Sequence, residues 1–285
     1  MQLTLGVTLA VLAAGFLHAG WNALLKSTGG GDVLLDTAAV VGGSSFCGLA
    51  LLAFVPVPDS ASWPFIAASA TIHFGYYLTL VQAYRTGDLS FAYPLMRGTA
   101  PLIVAVLGSI FLRELPSAQM TAGILFISLG IVSIAFVQIR DGRRRHPPAA
   151  AYWAFANAAI IAVYTLIDGA GARASGNAIG YVCWLIFLEG IPFVAWVLLR
   201  RGAPARAYLR RGWRVGLGGG ACSLAAYGIV LWAMSRAPIA AVAALRETSV
   251  LFAALIGSLW LKEGFGWRRA AGAASVVVGI AALKL

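Results

Sequence analysis

An all-helical membrane protein, ten transmembrane helices forming two inverted five-helix repeats, is the fold class this sequence predicts. Three observations lead there. Hydrophobic residues make up 60% of the 285 and charged residues only 11%, with a mean hydropathy of +0.85; a soluble domain carries about a quarter charged residues. Apolar runs of about twenty residues, each long enough to cross the hydrocarbon layer as a helix, recur from end to end. Finally, moving the segment 97–131 forward by 149 positions without a gap reproduces twelve of its thirty-five residues. Apolar composition alone supplies matches of Leu and Ala. It does not supply Arg97 on Arg246, Gly108-Ser109 on Gly257-Ser258, Glu114 on Glu263, Ala122-Gly123 on Ala271-Gly272, or Gly130-Ile131 on Gly279-Ile280.

The runs fall near 3–25, 33–56, 63–84, 90–112, 118–139, 150–170, 178–199, 213–234, 239–261 and 267–284. The first lacks a basic flank, so a cleaved signal peptide is not expected. It contains no acidic residue and ends in a polar face, His18, Asn22 and Lys26 four apart with Trp21 beside them, a spacing that puts side chains on one side of a helix. The third run carries His73, Tyr76 and Tyr77, and the fourth carries Tyr93 four residues before Arg97. In the second half Tyr164 and Asp168 lie four apart in the sixth run, Tyr227 in the eighth is the rough counterpart of Tyr77, and Arg246 lies in the ninth.

Between the fifth and sixth runs lies a charged, proline-rich stretch. It divides the chain into a first five-helix repeat at 1–139, a cytoplasmic linker at 140–149 and a second repeat at 150–285. An odd number of spans per repeat turns the second copy over relative to the first, and substrate sites in such folds lie between the repeats near the midplane. Gly212, Gly216 and Gly220, spaced by four, would let helices approach closely.

The net charge of +11 does not point to nucleic acid. Outside the spans, fifteen Lys and Arg residues fall in odd-numbered connections, against four in the even-numbered ones and the C-terminus. Basic connections stay on the cytoplasmic side, which predicts a multi-pass cell-membrane protein with arginine-rich odd connections in the cytoplasm and both termini outside. Cys47, Cys183 and Cys222 lie in separate spans without metal-ligand spacing and read as small packing residues. No cofactor or metal is expected.

The segments HAGWNALLK (18–26), AYPLMRGTAPLIVAVLGSIFLRE (92–114) and AALRETSVLFAALIGSLWLKE (243–263) resemble the drug/metabolite transporter superfamily, and within it the ten-helix EamA-type exporters. The resemblance runs over essentially the whole chain. It implies a bacterial inner-membrane carrier that exports small metabolites, with amino acids of aromatic or other apolar side chain the nearest substrate class, and a chain that works as a monomer.

Arg97 and Arg246 are the costliest residues, each roughly 6 Å from the middle of its span at the helical rise per residue, where a charge needs a partner or water. A guanidinium there grips a substrate carboxylate in bidentate fashion, or it locks helices together. Their opposite offsets from the midplane imply that they do not hold one carboxylate between them, and Glu247, adjacent to Arg246, need not pair with it. His18, Trp21, Asn22, His73, Tyr76, Tyr77, Tyr93, Tyr164, Asp168 and Tyr227 complete a candidate cavity. Rings and hydroxyls suit a zwitterion with an apolar side chain, and a ring face suits its ammonium. Trp63, Trp153, Trp213 and Trp267, at span ends, read as an interfacial belt. Asp168 and Glu189 carry a proton, take an ammonium, or sit in water at a helix end, and Glu114 and Glu263 read as structural residues next to Arg113 and Lys262 at the membrane edge.

Other functions fit less well. An intramembrane enzyme needs converging nucleophile, base or metal ligands, and two histidines in separate spans do not supply them. A scaffold needs no matched arginines. Sugars, sugar phosphates and cationic drugs remain alternative substrates, although a phosphate favours several basic residues together and a first span without an acid disfavours cation–proton exchange.

Overall fold

The computed structural model describes residues 3–27, 32–87, 89–140, 147–253 and 267–284. The side chains of Trp21, Asn22, Lys26 and Trp267, the linker arginines at 143–145, and Lys262 and Glu263 lie outside the described residues. The described helices are α1 (Leu5–Ser27), α2 (Val33–Leu51), α3 (Trp63–Thr86), α4 (Leu89–Phe111), α5 (Ala118–Arg140), α6 (Pro148–Ala174), α7 (Ala178–Arg211), α8 (Trp213–Met234), α9 (Ile239–Arg246) and α10 (Trp267–Lys284). Among the described residues, seven of these are long and apolar enough to cross a bilayer, and α1 and α10 contribute shorter apolar stretches.

Helix ends follow local chemistry. Asp32 caps α2 by accepting from the Leu34 amide, and Asn177 caps α7 by accepting from Ile179 and Gly180. Proline opens α3 and α6 in the first turn, where its missing N–H costs nothing. Two expectations about spans change. The second run stops being helical at Leu51, and a turn leads to Pro56 and Pro58. The ninth run is not one continuous helix: α9 ends at Arg246, and the chain turns through Glu247 and Thr248 before helix resumes at 249. Amides 247, 248, 250 and 251 there bond three residues back rather than four, the tight winding that marks hinges inside longer helices. Just past the seventh run, α7 breaks at Gly202 (φ 58°, ψ −133°), a conformation only glycine adopts freely.

Helix packing crosses between the halves. Helix α5 lies on α10, α2 on α8 and α7, α3 on α6 and α7, α1 on α8 and α9, and α4 on α5, α6 and α9. Exchanging each first-half helix for its second-half counterpart (α1 for α6, α2 for α7, and so on to α5 for α10) turns the α3–α6 contact into α8–α1, α2–α8 into α7–α3, and α4–α6 into α9–α1. It leaves α2–α7, α4–α9 and α5–α10 as they are. The glycines of the repeat sit on this relation. A Cβ on Gly123 would meet the carbonyl of Gly279 at 2.9 Å and one on Gly130 that of Gly272 at 2.8 Å. The order is reversed along the two chains, so α5 and α10 run antiparallel. The Ser275 hydroxyl donates to the Phe126 carbonyl between them at 2.8 Å, and Phe126 and Ser275 are themselves 149 positions apart. Gly216 and Gly220 bring α8 against the backbone of α2 at Ala39 and Gly43. Gly212 instead forms the junction of α7 and α8.

Polarity is inside-out for a soluble protein. Leu9, Phe16, Phe46, Leu49, Phe126, Leu129, Phe136 and Phe155 are exposed, whereas Arg97, Asp168, Glu189, Arg246 and Glu247 are buried. An apolar exterior belongs against lipid, and buried charges then mark the working interior. The even-numbered connections meet at one end of the bundle, where the Asp59 amide donates to the Ser175 carbonyl at 3.1 Å and Glu114 reaches Arg173 and the Ile239 amide. At the other end Arg201 pairs with Asp32 at 3.3 Å and Gly87 abuts Ala150.

Candidate functional site

Arg97 sits on α4 between Pro94 and Pro101, whose missing N–H groups release the carbonyls of Ser90 and Arg97. Its partner is Glu247. The Glu247 carboxylate, wholly buried, lies with Oε2 2.5 Å from Arg97 Nε, while its Oε1 accepts from Arg246 Nε at 3.1 Å and lies 3.1 Å from Arg246 Nη2. Arg246 Nη2 also reaches the Thr165 hydroxyl on α6 at 3.5 Å. Both arginines therefore hold one carboxylate, contrary to the expectation from depth, and Glu247 does pair with its neighbour. Helices α4 and α9 pack against each other, and the two long guanidinium side chains reach the Glu247 carboxylate between them. Arg97 is left with unused capacity. Its Nε hydrogen is not aimed at Oε2, and its buried Nη2 has no hydrogen-bond partner among the described residues. The Tyr93 ring lies 5.8 Å from this guanidinium, and half-buried His18 on α1 is close enough to feel both arginine charges.

A second group adjoins the first. On α3, Ser69, His73 and Tyr77 are spaced by four and point inward. The His73 Nδ1 lies 3.0 Å from the Ser69 carbonyl and 3.2 Å from Glu189 Oε2. A carbonyl only accepts, so this nitrogen carries the hydrogen. Tyr77 donates to Glu189 Oε1 at 2.8 Å. Across the group Asp168 accepts from Tyr181 at 3.1 Å and from Tyr227 in a short bond. Asp168 and Glu189 are both buried in mid-helix, which overturns the reading that places them in water at helix ends. Tyr77 and Tyr227, counterparts in the repeat, each serve one of these acids.

Tyr164 joins the two groups. Its ring lies 4.2 Å from that of His73, 5.5 Å from Tyr76 and 6.4 Å from Tyr227, one residue from the Thr165 that touches Arg246. Of the residues singled out in the sequence, Arg97, Arg246, Tyr93 and His18 thus belong to the arginine group. His73, Tyr76, Tyr77, Asp168 and Tyr227 belong to the acid group, and Tyr164 stands between. Glu189 is a full member, and Tyr181, Thr165 and Ser69 are added by the structure alone. At the bundle end Glu114 pairs not with Arg113 but with Arg173, 2.5 Å away, which also donates to the carbonyls of Met234 and Ala237.

Residues 148–285 match the EamA-like transporter family. The second half of the chain is an EamA-like transporter domain. That domain, with the apolar helices on either side of the linker, makes the chain a multi-pass membrane protein of the kind that transports small molecules. No curated protein matches the sequence. A solved crystal structure of a protein superposes with a TM-score of 0.75 at 20% identity, covering 97% of this chain and 96% of the other. The likeness is one of fold. The EamA-like domain contributes Tyr164, Asp168, Glu189, Tyr227, Arg246 and Glu247 to the site, and the other half contributes His18, His73, Tyr77 and Arg97.

Proposed function

We propose that this EamA-like protein exports amino acids with aromatic or other apolar side chains, by alternating access between two inverted five-helix units, 1–139 and 150–285, joined by the linker 140–149. The observation that carries this reading is the pairing of opposite chemistries around Tyr164. On one side Arg97 offers to a carboxylate guanidinium hydrogens that bond nothing among the described residues. On the other, Glu189 and Asp168, held by tyrosine hydroxyls, offer negative charge to an ammonium. The rings of His73, Tyr76, Tyr164 and Tyr227 supply apolar surface between them. An amino acid carries all three features. A sugar phosphate would draw on several free cations, and here Arg246 is already engaged by Glu247. The carrier belongs in a bacterial inner membrane as a monomer, with odd connections cytoplasmic and termini outside, in keeping with the basic-residue distribution.

The test is flux from proteoliposomes loaded with a panel of labelled amino acids, with and without a proton gradient. Phenylalanine or leucine should leave faster than from protein-free vesicles, and Arg97→Ala should lower that flux at least tenfold while inserting normally. Equal efflux from the wild type and from empty vesicles for the whole panel would refute the assignment.

A further inference from the structure

The arginine group is unbalanced. Two guanidinium ions face one carboxylate, because the 149-residue repeat that sets Arg246 on Arg97 sets Glu247 on Gly98. The imbalance is uneven as well. Arg246 aims Nε at Glu247 Oε1, 3.1 Å away, and places Nη2 at 3.1 Å from the same oxygen. Arg97 approaches Oε2 at 2.5 Å without aiming a hydrogen at it, and its Nη2, buried in a side chain 5% exposed, bonds nothing among the described residues. A guanidinium presents five N–H donors in a planar fork and is satisfied best by two parallel bonds to a carboxylate. Glu247 cannot give Arg97 that geometry while Arg246 holds its other oxygen.

The backbone around Glu247 is also irregular. It stands at the tight turn that interrupts the ninth span, with Thr248 after it. Helix α1 lies directly against this turn, since a Cβ on Gly15 would meet the Thr248 hydroxyl at 3.2 Å and the Ser249 amide at 3.3 Å. The next hydroxyl, Ser249 Oγ, is buried without a partner among the described residues. Meanwhile the Arg97–Glu247 contact is a direct tie between the two halves, linking α4 to the ninth span.

We infer that Glu247 is a resident competitor for Arg97: a carboxylate-bearing substrate takes Arg97 from it, Glu247 falls back on Arg246 alone, and the tie between the halves is released. The inference rests on the transport reading above and adds which carboxylate the substrate must displace and what that displacement frees. Each guanidinium then has its own carboxylate, and binding is coupled to movement because one contact serves both purposes. Glu247 is a positioning residue, acting through the two arginines.

The full-length protein in proteoliposomes, exchanging labelled for unlabelled phenylalanine, tests this in two ways. With the wild type, 3-phenylpropanoate, which keeps the carboxylate and lacks the ammonium, should inhibit exchange at concentrations at least tenfold below those of 2-phenylethylamine. The amine inhibiting equally well or better would overturn the inference. With Glu247→Gln, loss of the competitor should lower the half-saturating phenylalanine concentration about tenfold while the maximal exchange rate falls, and Glu247→Asp should restore part of that rate. A Glu247→Gln protein that elutes like the wild type with half-saturation unchanged or raised would likewise overturn it. If Glu247→Gln does not fold, the two inhibitors decide the question alone. Absence of any amino-acid exchange by the wild type would instead strike the transport reading itself.

Discussion

A carboxylate withdrawn from water is tolerated only with hydrogen-bond donors around it; Glu189 has Tyr77 with His73 beside it, and Asp168 has Tyr181 and Tyr227. Tyr77→Phe removes the 2.8 Å bond to Glu189 while keeping the ring, and Tyr227→Phe does the same at Asp168. Each should destabilise the protein by about 1–3 kcal/mol, the cost of leaving a buried acceptor short of a donor, readable as a lower melting temperature in detergent. Tyr77→Ala should also reduce amino-acid export without preventing insertion, and normal export would remove Tyr77 from the substrate path. The sequence made the arginines legible, because a charge inside an apolar run stands out. Their meeting was hidden: distance from a span's middle fixes depth in the membrane and says nothing about position in its plane. Thr165, Ser69 and Tyr181 gave no signal at all, since hydroxyl-bearing residues are ordinary in membrane helices and only a partner distinguishes them.

Among the helices, α5 and α10 illustrate how far a repeat can be read. The recurrence of Gly123 at Gly272 and of Gly130 at Gly279 was visible as letters, and the structure shows why those letters recur: each glycine faces the other half's copy of its companion. Gly130→Leu would drive a side chain into the Gly272 carbonyl and Ser275. It should prise α5 from α10 and cost on the order of 3 kcal/mol, as overpacking of tight interfaces does. A melting temperature equal to that of the wild type would show that this contact is not where the halves are fastened. Span positions were legible to within a few residues for most helices, because hydrophobic length is a strong constraint in a bilayer. The interruption at Glu247 and Thr248 was not, because neither proline nor glycine marks it; α4 stays helical through the matching place, although Pro101 lies close by.

Across the molecule, the proposed topology assigns the linker 140–149 and the connection holding η1 (Ser60–Ser62) to opposite sides of the membrane. In a variant whose native cysteines are replaced by serine, Arg143→Cys should react with a membrane-impermeant reagent only after the cells are opened, and Ala61→Cys in intact cells. Both reacting from one side would refute the arrangement. The all-helical membrane architecture was the most legible level, since the recurrence of apolar runs is a property of the whole chain; the fastening of its ends was not. Glu114, from the first half, grips Arg173 and the start of α9, both from the second. Rocking the halves apart at that end has to part this pair, which is about one-fifth exposed and so within reach of dissolved ions. The two mouths of the carrier should then differ in their response to salinity: raising it on the Glu114 side alone should quicken the turnover step that opens there.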